Sequence, residues 1–185
     1  MKRAGVHHLG LVTLDLERTI EFYTNKLGWK IAWCDMMKPL AGGVVKHVFF
    51  DTGDGCFVSF MCPDKMPNVP AEFSTDLNTA QNLPGFFYHF AFWVDSVEEL
   101  EEKRQSLTDK GVEVTGIGDH DWAKSIYFRD PNGMLLEYCV TVRPLGEEDQ
   151  VMRDRSADNR MFGGHPDSPR WMQILSGRSS VSAAR

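Results

Sequence analysis

No stretch of this chain is apolar for long enough to span a bilayer, and no cluster of lysine and arginine marks a surface for nucleic acid or anionic lipid. The formal net charge of −6 points the same way, so neither a membrane nor nucleic acid is expected as the main partner. Cysteine is scarce: Cys34, Cys56, Cys62 and Cys139 form no C-x-x-C pair, and three of them lie in or beside strand patterns. They read as reduced core thiols, not as ligands or nucleophiles. The residues from Met1 to Gly5 lead straight into a strand pattern instead of a secretory apolar region, so the expected location is cytoplasmic. At 185 residues the chain is long enough for one filled core, expected as one compact domain with a tail.

What is present is a repeat. Val6-His7-His8-Leu9-Gly10-Leu11-Val12 opens the first half, and Phe87-Tyr88-His89-Phe90-Ala91-Phe92-Trp93 opens the second. A short polar turn follows each, Leu14-Asp15 and Asp95-Ser96. A helical apolar pattern comes next, from Leu16 to Leu27 and from Val97 to Leu107, closed by Gly28 and Gly111. Each half finishes with a glycine turn and an apolar strand, Cys56 to Met61 after Gly55 and Met134 to Val140 after Gly133. Between these landmarks, Trp29 to Cys34, Val44 to Asp51, Val112 to Ile117 and Ser125 to Arg129 read as further strands. The pattern predicts a duplicated β-α-β-β-β unit.

Ser96-x-x-Glu99 is a capping box for the second helix, and Asp15 can cap the first. Phe87 to Val94 is almost continuously apolar, as a strand buried on both faces is expected to be. Pro63 to Pro84, with four prolines, reads as the linker between the halves. From about Arg143 mixed charge replaces core positions, and Ser176 to Arg185 reads as disordered. A short helix in this tail is expected to pack on a partner subunit or over the site.

Two copies of one unit bring their first strands side by side, so His8, His89 and Glu137 are expected to converge. A single strand histidine is more often packed than ligating. Here the two histidines hold the same position in two repeats. Glu137 stands on an otherwise apolar strand, where an unpaired carboxylate is costly. Two imidazoles and one carboxylate, with positions left open, form the ligand set of a catalytic divalent metal. Ser59 is the repeat mate of Glu137 and a poor ligand, so the expected site has three protein ligands: His8, His89 and Glu137. His7, on the opposite strand face from His8, reads as structural, and His47 reads as an ordinary strand histidine able to line a cavity. His120, in the loop Gly118-Asp119-His120-Asp121, and Tyr127 are candidate proton carriers or substrate anchors. On local pattern alone a loop histidine and a core tyrosine fit them equally well.

The segment from Asp119-His120 through Ser125-Ile126-Tyr127-Phe128-Arg129-Asp130-Pro131-Asn132-Gly133-Met134-Leu135-Leu136-Glu137-Tyr138 resembles the vicinal oxygen chelate superfamily, which includes glyoxalase I, bleomycin-resistance proteins and extradiol dioxygenases. The resemblance runs from about Gly5 to Val142. It implies an α+β fold of two tandem βαβββ modules, about 5–62 and 86–142, forming a cup-shaped mixed sheet around a metal site. The domain is then 1–142, with 143–185 as a C-terminal tail, partly disordered or packing on a partner subunit. It also implies a homodimer, with His8, His89 and Glu137 as metal ligands. Small single-domain extradiol enzymes are the nearest match, with Tyr127 at their substrate-contacting tyrosine and His120 at a loop histidine. Larger relatives have an acid–base histidine shortly before the second metal histidine. Ser74 to Tyr88 has none, which leaves His120 or His47 for that work. The expected protein is an Fe(II) extradiol-type dioxygenase taking a catechol-like aromatic and dioxygen, with Mn(II), Zn(II) or Ni(II) also compatible with the ligands. The alternatives are a metal-dependent isomerase, epimerase or lyase, and a non-catalytic binding protein of the bleomycin-resistance kind.

Overall fold

Alternating apolar residues and glycine-bounded turns produce eight strands and four α-helices in a computed structural model that describes residues 5–53, 55–70, 72–154 and 160–177. The chain divides into two units, Met1–Ala80 with Asp130–Gly133, and Gln81–Arg129 with Met134–Arg185.

The first unit holds β1 (His8–Val12), α1 (Leu16–Glu21), β2 (Lys30–Met37), β3 (Val44–Asp51), β4 (Phe57–Asp64) and the single turn α2 (Leu77–Ala80). Its sheet runs β1-β4-β3-β2, with β1 parallel to β4 and the other pairs antiparallel. Asp15 caps α1 by accepting from the Arg18 N–H at 3.0 Å. The helical pattern expected through Leu27 is met in two parts, since the α-helix passes into a π-turn over Phe22–Lys26. Gly28 follows at φ 78°, the left-handed region that glycine enters without a Cβ penalty. Tyr23, Val48, Phe50, Val58 and Phe60 form the core, with the Tyr23 ring against Phe50, Phe60 and Trp29 at about 5 Å between centroids.

The turn Asp130–Gly133 belongs to this unit although it joins two later strands. The Tyr23 hydroxyl donates to Asp130 Oδ2 at 3.1 Å, Asn132 Nδ2 donates to Thr19 Oγ1 at 3.2 Å, and Thr75 Oγ1 donates to the Asn132 carbonyl at 2.7 Å. Asp130 and Asn132 are buried, and these bonds offset the cost of taking them out of water.

The second unit repeats the order with β5 (His89–Trp93), α3 (Val97–Asp109), β6 (Gly118–Asp119), β7 (Ala123–Arg129) and β8 (Leu135–Thr141). Its sheet runs β5-β8-β7-β6, with β5 parallel to β8. Ser96 Oγ accepts from the Glu99 N–H, and the Glu99 carboxylate accepts from the Asp95 N–H, so the predicted cap forms with its return bond one residue earlier. Leu100, Leu107, Ile126, Phe128 and Leu136 are fully or almost fully buried.

Two expectations change. Among the described residues β5 pairs only with β8, at the edge of its sheet, and His89, Ala91 and Trp93 are exposed along one face, Trp93 by 74%. Its apolar run therefore does not reflect burial on both sides. The strand expected over 112–117 is reduced to one bridge, Val114 to Phe128, with β6 beginning at Gly118. The cause lies at Thr115, whose N–H bonds the Tyr127 carbonyl while its hydroxyl oxygen, in place of a backbone carbonyl, accepts the Tyr127 N–H. The short helix expected in the tail is α4 (Ser168–Ser176), which packs on β7 of its own unit, with Phe162 and Leu175 buried against Tyr127 and Leu135. The disorder expected at the C-terminus falls, from residue 178 on, outside the described residues.

Candidate functional site

Strand register accounts for the central pair. Ala91 of β5 stands opposite Glu137 of β8, and His89 opposite Leu135, so His89 and Glu137 share a face one alternation apart. His89 Nε2 lies 3.2 Å from Glu137 Oε2. On the other side of the ring, Nδ1 is 3.1 Å from the Phe86 carbonyl. A carbonyl only accepts, so Nδ1 carries a proton and Nε2 is the nitrogen turned to the carboxylate. Two lone pairs do not face each other at that distance without a cation between them. A second imidazole proton or a metal ion satisfies the pair.

The carboxylate is well supported. Glu137 is 5% exposed, and Ser125 donates its hydroxyl to Oε1. Burial alone raises the Glu137 carboxyl, but the hydrogen bonds from His89 and Ser125 together outweigh it and hold the group below the usual carboxylate range. His89 moves the opposite way. Its bond to Glu137 raises the imidazole above its ordinary value against the opposing effect of burial.

Tyr127 is directly across from Glu137 on β7 and is buried. Its hydroxyl is 2.7 Å from His120 Nε2. Burial first, and the Glu137 charge next, push the phenol well above its ordinary range, so it keeps its proton within hydrogen-bond distance of Nε2. The His89 ring meets the Tyr127 ring edge-on at 6.4 Å between centroids. One unit therefore holds a continuous run of His89, Glu137, Ser125, Tyr127 and His120. Of these, sequence reasoning missed Ser125, although its place two residues before Tyr127 on the same strand face was a usable signal.

The remaining expected residues lie in the first unit. β1 pairs with β4 in the same register that β5 keeps with β8: His8 stands opposite Phe57 and Gly10 opposite Ser59. Ser59 is thus the structural mate of Glu137. It is buried and donates to the Leu9 carbonyl at 3.2 Å, a use of its hydroxyl unrelated to metal binding. His8 is exposed, with Nδ1 2.9 Å from Nδ1 of His7. His47 faces Asp35 at 3.4 Å, and its Nε2 is buried with no hydrogen-bond partner among the described residues. Among the described residues no three His, Cys, Asp or Glu side chains are grouped closely enough to hold an ion. The second unit brings together His89, Glu137, Tyr127 and His120, while His8 belongs to the first unit.

The family model of the glyoxalase/bleomycin resistance protein/dioxygenase superfamily matches residues 5–138. The chain belongs to this superfamily. The protein named "Putative ring-cleaving dioxygenase MhqA" of Bacillus subtilis is 26% identical over 121 residues, which is 65% of this chain but only 34% of that relative's length. The uncharacterized protein YraH of the same organism is 25% identical over 131 residues, covering 69% of this chain and 91% of YraH. Among solved structures, a superfamily domain from Frankia sp. EAN1pec overlays with a TM-score of 0.58 at 18% identity, covering 76% of this chain and 99% of that one. The fosfomycin resistance protein FosX of Listeria monocytogenes overlays with a TM-score of 0.50 at 23% identity, covering 77% and 95%, and was solved with Mn(II) and a dihydroxypropylphosphonic acid. These likenesses establish the superfamily fold of paired modules. Among the described residues no helix is long and apolar enough to cross a membrane.

Proposed function

We propose that this superfamily member is an Fe(II)-dependent, extradiol-type dioxygenase that opens a catechol-like aromatic ring. The observation that carries the reading is His89 Nε2 facing Glu137 Oε2 at 3.2 Å with its Nδ1 proton committed to the Phe86 carbonyl, beside a buried phenol–imidazole pair. The donor set fits a divalent cation: a neutral imidazole nitrogen and a carboxylate oxygen directed at one point. His89, Glu137 and His8 would hold the ion. When bound, it supplies open coordination positions for the two vicinal oxygens of a catechol and for dioxygen.

The net reaction inserts both atoms of dioxygen at a ring carbon–carbon bond next to the diol. The aromatic itself provides the electrons, so no external reductant is required. Tyr127 hydrogen-bonds a substrate oxygen, and His120 takes up the proton relayed through the phenol and returns it to product. The relative named for ring cleavage supports this chemistry, and FosX with its Mn(II) supports a divalent metal.

The test is to load the protein with ferrous ion without oxygen, add a panel of catechols, admit air and follow oxygen uptake with the yellow absorbance of ring-fission products. One dioxygen consumed per catechol is the expected result. Stoichiometric iron with silence across the panel overturns the reading, and turnover without oxygen replaces it with an isomerase.

A further inference from the structure

The family match ends at residue 138, yet the chain beyond it touches the site at two points. The first is Arg129. Its Nε donates to the Ile174 carbonyl at 2.9 Å, and its Nη2 donates to the carbonyls of Leu175 and Gly85, each at 3.1 Å. Ile174 and Leu175 lie in the last turn of α4, where a cation is favoured, and the Ile174 carbonyl also accepts from the capping Gly177 N–H at 3.3 Å. Gly85 lies in the turn Pro84–Phe87, closed by the Phe87 N–H on the Pro84 carbonyl at 3.3 Å. The next carbonyl in that turn, Phe86, receives Nδ1 of His89. One guanidinium therefore fastens the end of α4 to the peptide adjoining the one that orients His89. The approach is close enough to require glycine: a Cβ on Gly85 would lie 2.5 Å from Arg129 Nη2 and 2.7 Å from the Ser176 carbonyl group.

The second point is the His120 loop. The Asp119 N–H donates to the Met161 carbonyl at 2.8 Å. Asp121, at φ 76° an uncommon conformation for aspartate, accepts from Arg143 at 2.7 Å and from Arg160 at 3.0 Å. Arg143 is itself held by both carboxylate oxygens of Asp149 at 2.8 Å. Both neighbours of His120 are thus tied to the tail. Between the two points, Phe162 and Leu175 pack on Tyr127 and Leu135.

We propose that the tail residues 143–154 and 160–177 are a working part of the site, and that Arg129 and Asp121 are positioning residues through which their docking sets the ring orientation of His89 and the reach of His120 to Tyr127. This rests on the proposed function for what the two histidines do, but the geometry it asserts exists without metal or substrate. A chain that keeps the superfamily fold and lacks this tail would leave both histidines less constrained.

The experiment uses the full-length, metal-free protein and reads the imidazoles by two-dimensional 15N NMR above their titration range. Wild type is expected to give His89 as the Nδ1–H tautomer. Arg129→Gln should shift it toward a mixture and weaken Mn(II) binding about tenfold, the usual consequence of losing a group that orients a ligand. Arg129→Lys, which retains one donor, should recover part of both. Leu175→Ala, which removes side-chain packing on Tyr127 and Leu135 while keeping the carbonyl that accepts from Arg129, loosens α4 and should reproduce the tautomer change. Asp121→Gly, which suits the left-handed backbone and deletes only the carboxylate, should break the His120–Tyr127 hydrogen bond, seen as loss of the slowly exchanging phenol proton. A wild-type tautomer and unchanged Mn(II) affinity in folded Arg129→Gln and Leu175→Ala overturn the proposal. If Arg129→Gln does not fold, a wild-type tautomer in Leu175→Ala overturns it alone. Tautomer shifts together with silence toward catechols leave the proposal standing and remove the dioxygenase reading instead.

Discussion

Replacing Ser125 by alanine tests the carboxylate at the centre of the site. Ser125 is fully buried and Glu137 is 5% exposed, so water does not take over the lost hydroxyl bond freely. A hydrogen bond to a charged acceptor contributes about 1.5–3 kcal/mol. For a chain of this size each kcal/mol moves the melting midpoint by about 2–4 °C. The expected drop for metal-free Ser125→Ala near pH 7 is therefore about 3–12 °C. Acidification adds a signed prediction. The folded Glu137 carboxyl lies below its ordinary 4.5, so its contribution is present above that pH and is lost as the pH falls through the lower folded value. Removing one of the two bonds that hold the carboxyl down moves that loss to higher pH in the variant. Thermal melts followed by circular dichroism from pH 3 to 8 measure both effects. Wild-type and variant curves that superimpose across this range would refute the view that Ser125 supports a buried ionised Glu137.

Other outcomes follow from the same contacts. Gly85→Ala drives a methyl into the Ser176 backbone and the Arg129 guanidinium, and overpacking of this kind costs about 1–3 kcal/mol, measurable by urea unfolding. His89 is raised above its ordinary 6.5, so its pairing with Glu137 stabilises the metal-free fold fully below that pH and fades as the pH rises through the folded value. A divalent ion competes with that second proton, so Mn(II) affinity should climb with pH, and calorimetry in buffers of different ionisation enthalpy should detect proton release on binding. Tyr127→Phe keeps the ring packing and removes the phenol. Under the dioxygenase reading, turnover should fall about a hundredfold or more with metal content unchanged.

Much of the scaffold was legible because its signals are local. Gly28 and Gly111 end equivalent helices at φ 78° and 77°, as a Cβ-free residue permits. The repeat alignment that paired Ser59 with Glu137 is met by identical register in the two parallel pairs, β1 with β4 and β5 with β8. The errors arose where a partner distant in sequence decided the outcome. Thr115 bonds Tyr127 through its side chain and interrupts the strand expected there, and an edge position leaves the apolar β5 half exposed. The tail looked coreless because its apolar residues are few and widely spaced, yet Phe162 and Leu175 are enough to seat α4 on β7.

From the sequence alone came the duplicated module and the candidacy of His89, Glu137 and Tyr127, since alternation, turn glycines and a lone acid on an apolar strand are readable one segment at a time. The pairing of β5 with β8 that sets His89 beside Glu137 came from the fold. Tertiary structure decided which nitrogen of His89 is turned to the carboxylate, that Ser125 supports it, and that Arg129 reaches 45 residues along the chain to the end of α4. A backbone carbonyl carries no residue code, and a guanidinium does not announce its acceptors. Only the folded chain assigns them.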